Sequence, residues 1–379
     1  MKKIGLPFFL FFTLGWVTVR SQSGISLSPS LRKTADSLQQ ALILDSLNSL
    51  FSQIKTGHID PALIGAEDSA LNTSIFASFH GMEDHATRQV INVYPLSPQQ
   101  YSISIAFLGK QSDSTIALQA ILTLVAGINQ GKVSFSTPLA WLTRNWQKKQ
   151  VGNITYYYQG VFHEPVAKNF DRNNSRMAGR LGLPPEKFRF YLTDNYQQIL
   201  QLQGYTFDLR YNGRVRGGYF DISHTLFAIQ HNEDFSHDVF HYYASKVRSN
   251  QRNATADEGL AYSWGNAYYT DANGQMITQQ VLVAELRRYL TAHPSVSLWT
   301  LFTDNPKILT QLAPEISVKS VISGLLCDEV DRQKGIQGVK ALIDCGPGDE
   351  NYLRVINELI GVNRGNFDEK VGGLVASRG

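Results

Sequence analysis

One stretch limits the folds open to this chain more than any other: residues 231–264, HNEDFSHDVFHYYASKVRSNQRNATADEGLAYSW. Within it His237 and His241 stand four residues apart. Residues at that spacing share one face of an α-helix, so both imidazoles can turn toward a single point. Glu258 follows in Asp257-Glu258-Gly259-Leu260-Ala261. It reaches the same point only if a second helix carries it back across the first. A His, His, Glu set offers three protein ligands and leaves a fourth tetrahedral position open, the pattern of a catalytic zinc site rather than a closed structural one. With nine His in 379 residues, a chance His-x-x-x-His pair is expected about 0.2 times. The competing reading is a helix whose histidines are ordinary surface or core residues; the Asp-Glu-Gly-Leu-Ala segment, placed where a third ligand should come, favours the metal.

His237-Asp238-Val239-Phe240-His241 with the later Asp257-Glu258-Gly259-Leu260-Ala261 resembles the gluzincin zinc metallopeptidases, in particular their peptidase-MA-like branch. Their pattern is H-E-x-x-H followed by a glutamate on the next helix. The similarity runs from about Phe162 to the C-terminus. One residue departs from it: the glutamate of the motif is Asp238 here. The resemblance implies Zn2+ on His237, His241 and Glu258, Asp238 in the place of the general base, and a peptide or protein substrate. It also implies a strand at the cleft rim, for which the segment 219–230 is the candidate, and a helical lobe after the zinc helices.

Zinc lowers the pKa of a coordinated water to about 7. Peptide hydrolysis then needs a base within about 3.2 Å of its proton, directly or through a water, and a donor for the developing oxyanion. Asp238 keeps the carboxylate but retracts it by roughly 1.5 Å, one methylene. Tyr262 is the first candidate for the donor, with Tyr268 and Tyr269 as alternatives. Asp257 or Asp234 could orient the imidazoles, and Glu233, four residues before His237, is a substitute base. His231 and His224 read as loop histidines. Two functions stay open: a zinc-dependent hydrolase, or a non-catalytic relative that keeps the zinc or only the fold and binds a peptide or partner.

The remaining sequence sets the frame. A formal charge of +3, with no basic cluster interleaved with aromatics, argues against nucleic acid. Lys2 and Lys3 followed by an apolar run to Val19 read as a signal peptide over residues 1–21, too short to span a bilayer, so export to a periplasmic or secreted location without a stable membrane anchor is expected. Export would permit a bridge between Cys327 and Cys345, which sequence leaves open. The fold class expected is α+β. A helix over 31–54 and antiparallel strands around 101–107, 121–135 and 154–158 suggest an accessory domain over 22–160. A zinc-binding subdomain over 161–270 and a helical lobe over 271–379 follow, with separate helices expected at 318–334 and 336–344.

Overall fold

Apolar residues at helical spacing and then at period two build the first half of the chain. The computed structural model describes residues 24–29, 31, 37–84, 87–110, 115–270 and 275–378. The expected signal peptide lies outside the described residues. A two-residue strand β1 (Ser26–Leu27) precedes helices α1 (Ser37–Thr56) and α2 (Ser69–Ser78). Strands β2 (Thr87–Ser97), β3 (Gln100–Lys110), β4 (Ile116–Asn129) and β5 (Lys132–Ser136) then run as an antiparallel meander, with β1 added parallel to β2. Gln130 and Gly131, both at positive φ (48° and 75°), close the β4–β5 hairpin, the two-residue turn whose twist matches that of its strands. Ile103, Ile105 and Phe107 of β3 and Leu122 and Leu124 of β4 form one core with Leu47, Leu50 and Phe51 of α1.

The chain continues through α3 (Leu139–Thr143), β6 (Gln147–Val151), β7 (Ile154–Tyr158), α4 (Glu164–Leu181), β8 (Phe188–Thr193), α5 (Tyr196–Leu202), β9 (Tyr205–Asp208), β10 (Tyr219–Asp221) and β11 (Thr225–Ile229). A second sheet forms in the order β10-β11-β8-β7-β6, while β9 pairs with β4 of the first. Side chains of the second sheet alternate between two cores. Phe188, Phe190, Leu192, Leu226 and Ala228 pack with α4 and the helices beyond, whereas Tyr191 and Phe227 join the core of α1 and the first sheet. A sheet buried on both faces ties its neighbours together. The boundary expected near residue 160 therefore does not separate two independently packed bodies. Before it, β6 and β7 belong to the second sheet; after it, β9 extends the first.

Helices follow: α6 (Ser236–Val247), α7 (Ala254–Gly265), α8 (Gln279–Ala292), α9 (Leu298–Asp304), α10 (Val318–Ile343), α11 (Asp349–Ile360) and α12 (Phe367–Arg378). The chain is α+β, as its patterning predicts. Gly335 (φ 58°, ψ −151°) interrupts α10, at the place where sequence expects one helix to end and the next to begin. Cys327 and Cys345 are buried free thiols, not a disulfide. Burial raises the pKa of both, that of Cys345 to about 11. Among the described residues no helix is long and apolar enough to cross a membrane.

Candidate metal centre

The start of α6 is fixed by a buried carboxylate. Asp234 Oδ1 accepts from the backbone N–H of Ser236 at 2.9 Å, and Asn169 Nδ2 donates to its Oδ2 at 2.8 Å. An acidic group at a helix N-terminus satisfies free N–H groups and meets the positive end of the helix dipole. Asp234 thus holds the first N–H of the helix and not an imidazole, the role for which sequence offered it as an alternative to Asp257. Asn253 caps α7 in turn, accepting from Ala256 N at 2.9 Å, while its amide donates to Gly346 O and Gly348 O at 2.6 and 2.8 Å. Gly265 lets the two helices approach: a Cβ there would lie 2.6 Å from the backbone N of His237. That closeness brings the last turn of α7 against the first turn of α6.

His237, His241 and Glu258 meet between these helices. Nε2 of His241 lies 3.2 Å from Nε2 of His237 and 3.3 Å from Glu258 Oε1, and His237 Nε2 lies 3.5 Å from Glu258 Oε2. Ligands about 2.0–2.1 Å from a tetrahedral zinc are separated by about 3.3 Å, the tetrahedron's edge. The two nitrogens are close to that spacing, and each faces its own oxygen of Glu258. Their far sides are anchored. His237 Nδ1 pairs with the carbonyl of Asn266 and His241 Nδ1 with Asp257 Oδ2, both at 2.8 Å. With Nδ1–H donated outward, each Nε2 keeps its lone pair for an ion. Asn266 adopts φ 65° as it ends α7, a conformation uncommon outside glycine, and here it accompanies the carbonyl that holds His237.

Comparison with protein-family models, curated proteins and solved structures finds no match for this chain. What the centre can do is therefore argued from its own residues.

Charge around the ligands is arranged for a cation. Burial works against a proton on His241, but the hydrogen bonds and charges of Asp257 and Glu258 outweigh it and raise its pKa to about 9. Burial alone would raise Glu258, yet His237 and His241 hold it well below the usual carboxylate range. Asp257 is likewise held low against burial by His241, Arg252 and Arg248. Arg248 and Arg252 reach it at 2.5 and 2.6 Å, and Arg252 also reaches Glu258 at 3.0 Å. Asp257 and Glu258 thus divide the work: one carboxylate grips the back of an imidazole, and its neighbour faces the front.

The centre opens on a cleft of about 400 Å³ lined by His237, Asp238, Glu258 and, around them, Tyr262, Tyr268 and Tyr269. Asp238 stands beside the ligands, where sequence places the base. Burial pushes its carboxyl upward, with His237 and His241 opposing and Glu258 adding to the rise. Tyr262 packs its ring edge-on to His237, with centroids 5.5 Å apart. The hydroxyl of Tyr268 is buried and has no partner among the described residues, and Asp238 adds to the rise that burial causes in its pKa. Tyr262, by contrast, has a partner in the Ser317 backbone.

Other candidates lie elsewhere. Glu233 is fully buried and meets His163 N at 3.2 Å and Nδ1 at 2.7 Å; it does not line the cleft, which removes it as substitute base. His224 meets Tyr242 Oη at 2.8 Å, and the exposed His231 lies against His163 at a tilt, with ring centroids 4.8 Å apart. β11, the strand before the histidine helix, is paired on both sides; the edge belongs to β10. Within 219–230 the edge of the sheet therefore falls on the first part. Sequence reading missed the Asn266 carbonyl and the two arginines on Asp257. The arginines left a trace, two cations in the short link to an Asp-Glu pair; the carbonyl left none.

Proposed function

We propose that this chain is a zinc-dependent hydrolase of peptide bonds, of the metallopeptidase kind that its H-D-x-x-H segment resembles. The observation that carries the reading is the donor triangle of His237, His241 and Glu258, spaced for one tetrahedral ion and open to a cleft beside Asp238. The chemistry of the donors fits: two imidazole nitrogens with anchored far sides, and one carboxylate. The ion, when bound, supplies Lewis acidity and an acidified water. Asp238 accepts a proton at its carboxylate, directly or through a water, and Tyr268 offers its unpaired hydroxyl to the developing negative charge. A peptide backbone pairs with the free edge of β10. Gly218, just before that edge, admits the close packing: a Cβ there would lie 2.3 Å from Tyr268 Oη and 2.6 Å from the Phe235 ring.

One observation favours a second reading, a zinc-bearing module that binds peptide without cleaving it. Asp238 is a methylene shorter than the residue its position calls for, and burial moves it toward its neutral form. Asp238→Asn decides between them. In a hydrolase it lowers turnover by roughly 10²-fold or more while zinc content stays constant, and Asp238→Glu changes turnover again through its added reach. If wild type and both variants bind zinc and none cleaves any member of a broad peptide library, the hydrolase reading fails and the binding module stands.

A further inference from the structure

One wall of the cleft carries a cation that forms no ion pair among the described residues. Arg214 lies in the link between β9 and β10 and lines the same cleft as His237, Asp238 and Glu258. Its guanidinium sits over the Tyr196 ring at 4.7 Å, and its Nε donates to the Arg216 carbonyl at 3.1 Å. These contacts fix the plane of the group and leave its outer nitrogens without a carboxylate partner among the described residues. Gly217, at φ 132°, makes room for it: a Cβ there would fall 2.9 Å from Arg214 Nη2. Arg216, two residues on, has a buried guanidinium nitrogen, Nη1, with no partner either. Arg214 is exposed and lines the cleft, so its free fork of donors can meet an acceptor that enters from solvent.

We propose that Arg214 is the specificity residue of the cleft and takes a carboxylate of the bound peptide, either an acidic side chain or a free C-terminus. The inference rests on the peptide-binding reading of this cleft and holds whether or not the peptide is cut. Arg214 is close enough to the reacting groups to act on a neighbouring residue of the substrate, since its charge is felt by Tyr268 and Tyr269, as is that of Asp238. The acidic groups of the cleft set the direction. Glu258 and Asp238 face the histidines, and the exposed Glu315 on the helical side repels a second carboxylate. Arg214 is the only Arg or Lys among the described residues that line the cleft, so an acidic group is accepted where Arg214 reaches it. The planar fork of an arginine suits a carboxylate better than a lysine would.

The test uses the full chain loaded with zinc and a set of otherwise identical, C-terminally amidated peptides. Glutamate, glutamine or lysine is scanned through each position, and the all-glutamine peptide is also made with a free C-terminus. Binding by fluorescence anisotropy is measured beside kcat/KM, for wild type, Arg214→Gln and Arg214→Glu. Wild type should bind one glutamate-bearing peptide, or the free-acid peptide, about 10- to 100-fold more tightly than the neutral amide, the range of a charge-assisted hydrogen-bond pair. The glutamate and free-acid arms say which carboxylate is read. Arg214→Gln should erase the difference by weakening the acidic peptide alone, and Arg214→Glu should transfer the preference to lysine. Zinc content should stay the same in all three proteins. A wild type without acidic preference, or a preference that survives in Arg214→Gln, overturns the assignment. Absence of cleavage with the binding ratios intact overturns the hydrolase reading and leaves this one standing.

Discussion

The chain gathers two histidines and a glutamate in two places, and only one of them brings three possible ligand atoms together. At His237, His241 and Glu258 the rings sit on one face of α6, each Nδ1 is occupied, and both Nε2 atoms face the carboxylate within 3.5 Å. At His163, His231 and Glu233 one carboxylate oxygen meets both the backbone N–H and Nδ1 of His163, while the other is buried without a partner among the described residues. The His231 ring lies against that of His163 at a 40° tilt. Only the first set forms a group of convergent ligand atoms among the described residues. Residue type is equal in the two clusters; the difference is which nitrogen is held from behind. An imidazole whose far nitrogen is anchored keeps the near one for an ion.

Titration sharpens that contrast. In the metal-free protein the pKa of His241 is raised from 6.5 to about 9. A group whose folded pKa lies above its unfolded value stabilises the fold fully below the unfolded pKa and loses that contribution as pH rises through the folded one. Stability of the metal-free chain should therefore decline between pH 6.5 and 9, by on the order of 3 kcal/mol. Urea melts across that range measure it. The decline should vanish in His241→Gln and persist in His163→Gln. Zinc affinity should move the opposite way and rise with pH over the same window, because the ion needs the unprotonated ring.

A smaller effect comes from behind the ligands. Asp257→Asn keeps the shape but weakens the grip on His241 Nδ1, and zinc affinity by chelator competition should fall about 10- to 100-fold. Glu233→Gln, the matching change in the other cluster, should leave zinc affinity unaltered and lower stability by about 1–2 kcal/mol through its buried contacts with His163. Equal loss of zinc in both variants would erase the distinction drawn here.

The ligands were legible because helical spacing converts directly into a shared face, and because the Asp257-Glu258 pair announced a carboxylate behind its neighbour. Alternation likewise placed β3 and the β4–β5 hairpin: the runs expected at 101–107 and 121–135 fall on Gln100–Lys110 and on Ile116–Asn129 with Lys132–Ser136. The boundary near residue 160 was not legible for a physical reason. Strands β6 and β7 show the same local pattern whichever sheet they join, and membership is decided by distant partners, β8 above all. Glu233 illustrates the same limit. Its position one turn before His237 suggested a base, but Asp234 and Ser236 start the helix after it, which turns its carboxylate toward His163.

The most direct measurement of the central claim is zinc stoichiometry by elemental analysis of the purified full chain, after loading and removal of loosely held ions, for wild type, His237→Ala, His241→Ala, Glu258→Ala and His163→Ala. The donor triangle predicts one zinc per chain in wild type and in His163→Ala, and a loss of bound zinc in the other three, each still folded by circular dichroism. A wild type that retains no zinc, or His237→Ala and His241→Ala proteins that retain it as well as wild type does, would contradict the account.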